Sequence, residues 1–321
     1  MKKYFYLLEI TLVFLILLTA CSNNNAIDNN NKTLDERIID VETENSQYNK
    51  EEQIRDIEED RQYTNEIEKT ILNVDFRKYF QEYEGCAVFY LSSSNTYKIY
   101  NAEIAQERRS PCSTFKIIST LAALENEVIT NDNSKRYWSG EKFWNESWNK
   151  DMMLNEAFKT SCIWYYREII NEIGMKKMQS FVSNLGYGNE DISDWEGRLN
   201  KNNNNRSLTG FWVESSLKIS PLEQVDVLYR IFGEDSEYRE ENIETLLSVM
   251  ELEDQQDNIT VYGKTGYGRL KSVSLDSWFI GLFESGNERG YFAVRLSETE
   301  NPNVSSALAK EIALKIISEN F

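Results

Sequence analysis

The sequence predicts an α+β fold: an antiparallel sheet of about five strands drawn from both chain ends, with flanking helices and a largely helical insertion. Short apolar runs rich in β-branched and aromatic residues lie at 86–91 and 96–101. Comparable runs return far downstream, at 259–264, 277–283 and 291–297. Between the two groups, about 160 residues alternate helical patterns with polar loops. An apolar content of 40% is enough for a packed core, and 321 residues suit one large domain or two small ones.

At the amino terminus, Lys2 and Lys3 precede an apolar run, 4–18, that Glu9 alone interrupts, and the run ends in Leu18-Thr19-Ala20-Cys21. A basic start, a short apolar stretch and small residues before a cut describe a secretory signal. The run of 15 residues is shorter than the roughly 20 that span a bilayer. Small residues directly before a cysteine resemble the bacterial lipobox, so 1–21 is read as a lipoprotein signal peptide and Cys21 as the site of lipidation. Residues 22–70 carry 14 acidic and 6 basic side chains, begin Asn-rich and contain almost no aromatic, Gly or Pro residues. Such a segment is a solvated tether. Fully extended, its 49 residues reach on the order of 160 Å. The protein is therefore expected outside the cytoplasmic membrane and attached to it.

Residues 71–321 read as one globular unit. Helical periodicity occupies 72–83, and Ser92-Ser93-Ser94-Asn95 joins the first two strands as a hairpin turn. Gly286 and Asn287 mark a second hairpin turn at 284–290. An amphipathic helix at 305–318 closes the chain.

Composition narrows the chemistry. The charge balance, 35 − 53 = −18, argues against a nucleic-acid partner, which needs a basic face. There is no histidine, so a Ser-His-Asp triad, a Cys-His pair and a paired-histidine zinc helix are impossible. Cys21, Cys86, Cys112 and Cys162 lack metal-ligand spacing, and no metal is expected. Catalysis must rest on Ser, Lys, Tyr, Asp/Glu or Cys.

The most informative stretch is Ser110-Pro111-Cys112-Ser113-Thr114-Phe115-Lys116. Pro111 suits a helix start, and Ser113 and Lys116 then share one helical face, three residues apart. Lys116 is the only charge in the 11 residues 114–124, whereas 27% of the chain is charged. A helix this apolar is buried, which desolvates the amine and lowers its pKa. A neutral amine beside a serine can act as its base. Against this stands a plain core helix from which the lysine snorkels. Three further tripeptides follow in order: Ser161-Cys162-Ile163 after a helical segment, Tyr187-Gly188-Asn189 at a helix-to-loop transition, and Lys264-Thr265-Gly266 at the end of a strand. Each is common alone; the ordered set inside a split sheet is specific.

This set resembles the serine β-lactamase and penicillin-binding family, and within it the class D β-lactamases, over about residues 84–320. The resemblance includes Ser113-Thr114-Phe115-Lys116, Phe211-Trp212-Val213-Glu214 and Trp278-Phe279-Ile280-Gly281. It implies a β-lactamase/transpeptidase-like fold and hydrolysis of β-lactam antibiotics through an acyl ester on Ser113. Lys116 would carry CO2 as a carbamate (N6-carboxylysine) and serve as general base; bicarbonate would be the only accessory species. Ile163 would keep that site dry, and Trp212 would donate its indole N–H to the carbamate. Ser161 would relay a proton toward the leaving nitrogen, with Lys264 supplying positive charge beside it. Ser113 and Tyr267 N–H groups would form the oxyanion hole, and Thr265, Gly266 and Tyr267 would border the substrate. Trp278 and Asn189 read more simply as a core aromatic and a loop-shaping residue. The three cysteines of the globular unit read as buried free thiols.

Two departures from the family stand out. Ala309 occupies the position of the arginine that binds the substrate carboxylate, which leaves Lys310, Arg269, Arg295 or Thr265 to take its place. Glu196-Gly197-Arg198-Leu199-Asn200 matches the Glu-x-x-Leu-Asn loop that supplies the deacylating base in class A enzymes, although a carboxylate on a polar loop is usually only solvated. Two other functions compete with hydrolysis: a β-lactam sensor or penicillin-binding protein that is acylated but turns over slowly, and a non-catalytic surface lipoprotein. Ile163 stands where sensors and transpeptidases carry Asn.

Overall fold

The computed structural model describes residues 69–199, 205–253, 259–271 and 273–321. The leader with Cys21, and nearly all of the tether, lie outside them. One sheet organises the described chain: β1 (Thr70–Asn73), β2 (Gly85–Leu91), β3 (Thr96–Tyr100), β4 (Ile259–Leu270), β5 (Val273–Ser285) and β6 (Glu288–Leu296). Its spatial order is β1-β3-β2-β6-β5-β4, so the two chain ends meet where β2 pairs with β6. All pairings are antiparallel except β1 with β3, which is parallel.

The strand alternation sorts side chains between two cores. From β2, Ala87 and Phe89 face one core, which Phe283 and Phe292 share with Ile312, Ala313 and Ile316 of the closing helix. Cys86, Val88 and Tyr90 face the other, which contains the helical insertion. Phe89 has no exposed surface and packs on the rings of Phe292 and Phe321 at centroid distances of 6.0 and 5.1 Å. Truncating it to alanine costs about 3–5 kcal/mol.

Besides a single turn at Ala102–Ala105, the helices of the described residues are α1 (Arg77–Phe80), α2 (Lys116–Glu125), α3 (Leu154–Lys159), α4 (Ile163–Ile173), α5 (Met175–Asn184), α6 (Pro221–Phe232), α7 (Glu240–Met250) and α8 (Ser306–Asn320). Local chemistry starts several of them. Ser220 and Glu223 form a reciprocal capping box before α6, with Pro221 in the first turn. Ser305 accepts the Leu308 N–H at the start of α8. Apart from its final residue, α2 is buried along its whole length and packs against α4 and α7, with a 3₁₀ turn, Cys112–Phe115, leading into it.

The α+β architecture and the division of the sheet between chain ends are as the sequence predicts, with three corrections. The sheet has six strands and is mixed. The segment 72–83, expected as one helix, is instead β1 followed by the single turn α1. Thr70 and Ile71 are β-branched and pair with the free edge of β3, while Asp75 accepts the Arg77 N–H and starts the turn afresh. Third, β4 does not stop at Gly266: it runs on to Leu270 and turns at Lys271, which has a left-handed φ of 57°, into β5. Gly266, Gly268, Ser274 and Asp276 hide this ribbon from a reading based on apolar runs.

Candidate active site

The turn Cys112–Phe115 leads straight into α2, and Lys116 opens that helix. Lys116 Nζ donates to Ser113 Oγ at 2.9 Å. The lysine is 1% exposed and lies over the ring of Tyr166 at 5.1 Å, whereas Ser113 is half-buried and open to the cleft. Burial brings the Lys116 pKa from 10.5 down to about 8. The paired spacing and the apolar helix thus place a weakly basic amine on a reachable hydroxyl.

A second pair faces the first. Lys264, on β4, donates to Ser161 Oγ at 2.5 Å and to the Thr265 carbonyl at 3.2 Å. Burial, with repulsion from Lys116 as the second cause, pushes Lys264 well below the usual lysine range. Ser161 lies between α3 and α4 with a left-handed φ of 55°. Gly266 lets β4 approach the nucleophile turn: a Cβ there would meet Thr114 Cγ2 at 2.8 Å and the Pro111 carbonyl at 2.9 Å. Thr265 is half-buried, and Tyr267 is 39% exposed on the same strand.

Trp212 is buried and stacks on Phe115, the residue before Lys116, with ring planes 26° apart. Its carbonyl accepts the Cys112 N–H at 3.0 Å, which fastens the Trp212 loop to the nucleophile turn. Ile163, half-buried, opens α4 one turn before Tyr166. Ser113, Lys116, Ser161, Lys264, Ile163 and Trp212 are thereby gathered from four separated segments.

Other predicted residues lie elsewhere. Trp278 is fully buried and donates its indole N–H to the Ser110 carbonyl at 3.1 Å, a structural role. Asn189 is exposed and braces the loop through the Lys218 N–H (2.8 Å) and the Ser216 carbonyl (2.9 Å). Tyr187 and Gln224 back the turn, Gln224 donating to Thr114 at 3.0 Å. Glu196 is 61% exposed at its side chain and pairs with Arg167 at 2.8 Å. Cys86, Cys112 and Cys162 are buried free thiols, and burial pushes each up to about 12.

Among the candidates to replace the arginine missing at Ala309, the structure separates three. Arg295 has no exposed surface and is held by Asp276 at 2.8 Å and Glu107 at 2.6 Å. Arg269 is exposed and its Nε donates to the Lys271 carbonyl at 2.7 Å, within the ribbon itself. Lys310, on α8, lines a cavity of about 270 Å³ together with Gly263, Lys264, Thr265 and Lys159. Ala309 itself is buried in the sheet–α8 core.

Sequence reading also missed Ser110, which is 4% exposed. Its hydroxyl donates to the Trp212 carbonyl at 3.1 Å and accepts the Glu214 N–H at 2.9 Å. Its one available signal was position: it precedes the proline of the nucleophile turn.

A mixed sheet with one helix-covered face, a helical lobe on the other and a Ser–Lys pair at their junction is the penicillin-binding/β-lactamase-like fold. Residues 49–318 match the family model described as penicillin binding protein transpeptidase domain. Regulatory protein BlaR1 of Bacillus licheniformis is 32% identical over 247 residues, covering 76% of this chain and 38% of that protein. Beta-lactamase OXA-1 of Escherichia coli is also 32% identical, over 249 residues, covering 74% of this chain and 86% of that one. The solved structure of class D beta-lactamase BAT-2 superposes with a TM-score of 0.66 at 29% identity, over 77% of this chain and 95% of that one. The chain belongs to the penicillin-binding transpeptidase and serine β-lactamase family, whose members include both class D enzymes and penicillin sensors. It spans about two-fifths of the length of the first curated relatives it matches, 38% and 40%.

Proposed function

We propose that this chain hydrolyses β-lactams through a serine acyl-enzyme and confers resistance to them. The observation that carries the reading is the Ser113–Lys116 pair: a reachable hydroxyl 2.9 Å from an amine that burial holds near pKa 8. A lysine so placed is partly neutral at physiological pH, which carbamylation by CO2 requires. Its aliphatic and aromatic surroundings, including Tyr166 and half-buried Ile163, fit a dry carbamate site. The carbamate supplies a carboxylate-like base, the kind of group that hydrolysis of an ester needs and that a histidine-free chain otherwise lacks at Ser113.

The residues divide the remaining work. Ser113 Oγ attacks the lactam carbonyl carbon, and its proton leaves toward the Lys116 side. The Ser113 and Tyr267 N–H groups hold the developing oxyanion. When the C–N bond breaks, the leaving nitrogen takes a proton through Ser161, held by Lys264 at 2.5 Å. Water then cleaves the ester and restores the Ser113 hydroxyl. Lys310 and Thr265 anchor the substrate carboxylate in the cavity beside Lys264. Cys21 carries lipid, and the acidic tether holds the enzyme outside the cytoplasmic membrane.

One observation favours a second reading, a sensor that is acylated once: BlaR1 is as similar to this chain, at 32% identity, as OXA-1 is. Incubating the purified protein with excess chromogenic β-lactam, with and without bicarbonate, separates the two. Many turnovers stimulated by bicarbonate are expected for the hydrolase. A single stoichiometric burst would favour the sensor, and no reaction would exclude both.

A further inference from the structure

Three segments meet over Ser113, and one side chain bridges two of them. Glu214 follows Trp212 on its loop and adopts a left-handed φ of 51° that an L-residue rarely holds. Its N–H donates to Ser110 Oγ at 2.9 Å, and the same hydroxyl donates to the Trp212 carbonyl at 3.1 Å. Its carboxylate reaches the other way and accepts the Arg269 N–H at 2.7 Å. That N–H belongs to Arg269, which still pairs with Ser274 just after the β4–β5 register shifts between Gly268 and Arg269, and on this edge strand it turns to the loop. Gly268 lies in the same contact: a Cβ there would sit 3.2 Å from Cys112 Sγ and 3.6 Å from the Glu214 carboxylate.

The geometry points to Glu214 as a positioning residue that locks the Trp212 loop to the far end of β4, fixing the substrate edge of that strand against the nucleophile turn. This rests on the acylation chemistry proposed above and adds to it a residue that touches no reacting atom. No salt bridge to Glu214 occurs among the described residues, so its partner is a peptide dipole, and a neutral acceptor of the same length serves as well. Burial raises the Glu214 pKa, as fits a group held for its hydrogen bond and not for its charge. Without the clamp, the ribbon beyond Gly266 and the loop at 211–216 fluctuate separately, and the β-lactam meets a misaligned edge.

The test compares full-length protein with Glu214→Gln, Glu214→Asp and Glu214→Ala. Covalent labelling by a fluorescent penicillin gives the acylation rate, and hydrogen exchange of peptides spanning 210–216 and 264–271 gives the coupling. Glu214→Gln is expected within about twofold of the parent in second-order labelling rate. Glu214→Asp, one methylene short, and Glu214→Ala are expected to label at least about fivefold more slowly, with both peptides exchanging faster together. The inference is overturned if Asp labels at the parental rate, if Gln falls with Ala, or if only one peptide loosens. Should Glu214→Ala fail to fold, the Gln–Asp contrast decides alone. A parent that takes no label at all refutes the proposed function instead, and the exchange data still decide the clamp.

Discussion

Lys264, on the edge strand of the sheet, donates to Ser161 of the helical lobe at 2.5 Å, and its own charge is disfavoured by burial and then by Lys116 across the cleft. Two buried lysines, each holding a serine, leave the site with more hydrogen-bond donors than stable positive charges.

Replacing Lys116 with methionine removes a buried amine whose pKa is brought down to about 8. The unfolded chain protonates this group below about 10.5, while the folded chain resists until about 8. Stability therefore rises with pH across that window, and the full penalty, about 3 kcal/mol, is present below it. In CO2-free buffer at pH 7, Lys116→Met should melt higher than the parent and take no penicillin label. Calorimetry and labelling check the two halves separately.

Lowering the pH protonates the free amine and withdraws it from carbamylation. Turnover of the parent should fall as pH drops below about 8 and should recover on adding bicarbonate. A pH–rate profile that bicarbonate leaves unchanged contradicts a carbamate base.

Ile163→Asn places an amide at the start of α4, where the proposed carbamate base calls for an apolar side chain. Acylation should persist, while the hydrolytic step slows by about tenfold or more, so a steady turnover becomes a burst followed by a slow phase. Stopped-flow kinetics with a chromogenic substrate resolve the two steps.

Lys310→Ala removes one of the cations that line the cavity next to Thr265. KM for β-lactams bearing a carboxylate should rise by about tenfold with a smaller change in kcat, as for a charge-assisted hydrogen bond to the substrate. Arg295→Met serves as the contrast: it leaves Asp276, whose pKa burial already raises to about 6, buried without its partner, and should act on melting temperature first.

Glu196→Ala should retain turnover within about twofold, since the carboxylate is exposed and paired with Arg167, an interaction contributing about 1 kcal/mol. Trp212→Ala should abolish turnover. The reverse outcome would transfer the base from Lys116 to the loop at 196.

Much of the site was legible because its residues are close in sequence or stand out against their surroundings. Ser113 and Lys116 share one turn, and a lone charge in an apolar helix is visible in the sequence itself. Lys264 and Ser161 were legible only as members of a known ordered set, since 103 residues separate them. The ribbon 267–276 was not legible, because Gly, Ser, Arg and Asp interrupt the alternation that betrays a strand. The helical periodicity at 72–83 misled for a different reason: pairing with the open edge of β3 outweighed weak local propensity. Ser110 and Glu214 act through backbone groups of distant segments, which no spacing rule encodes.

Cys112, Ser161 and Glu214, from three of the segments that border the cleft, all hold left-handed backbone angles, with φ of 48°, 55° and 51°. Each such bend costs on the order of 1 kcal/mol relative to an ordinary conformation, and packing elsewhere must offset it. A substitution in the core around Phe89 and α8 that weakens the fold by a few kcal/mol should release these bends before it unfolds the sheet. Antibiotic turnover should accordingly fade at temperatures where the molecule is still folded, and suppressor mutations should map to the core as often as to the cleft.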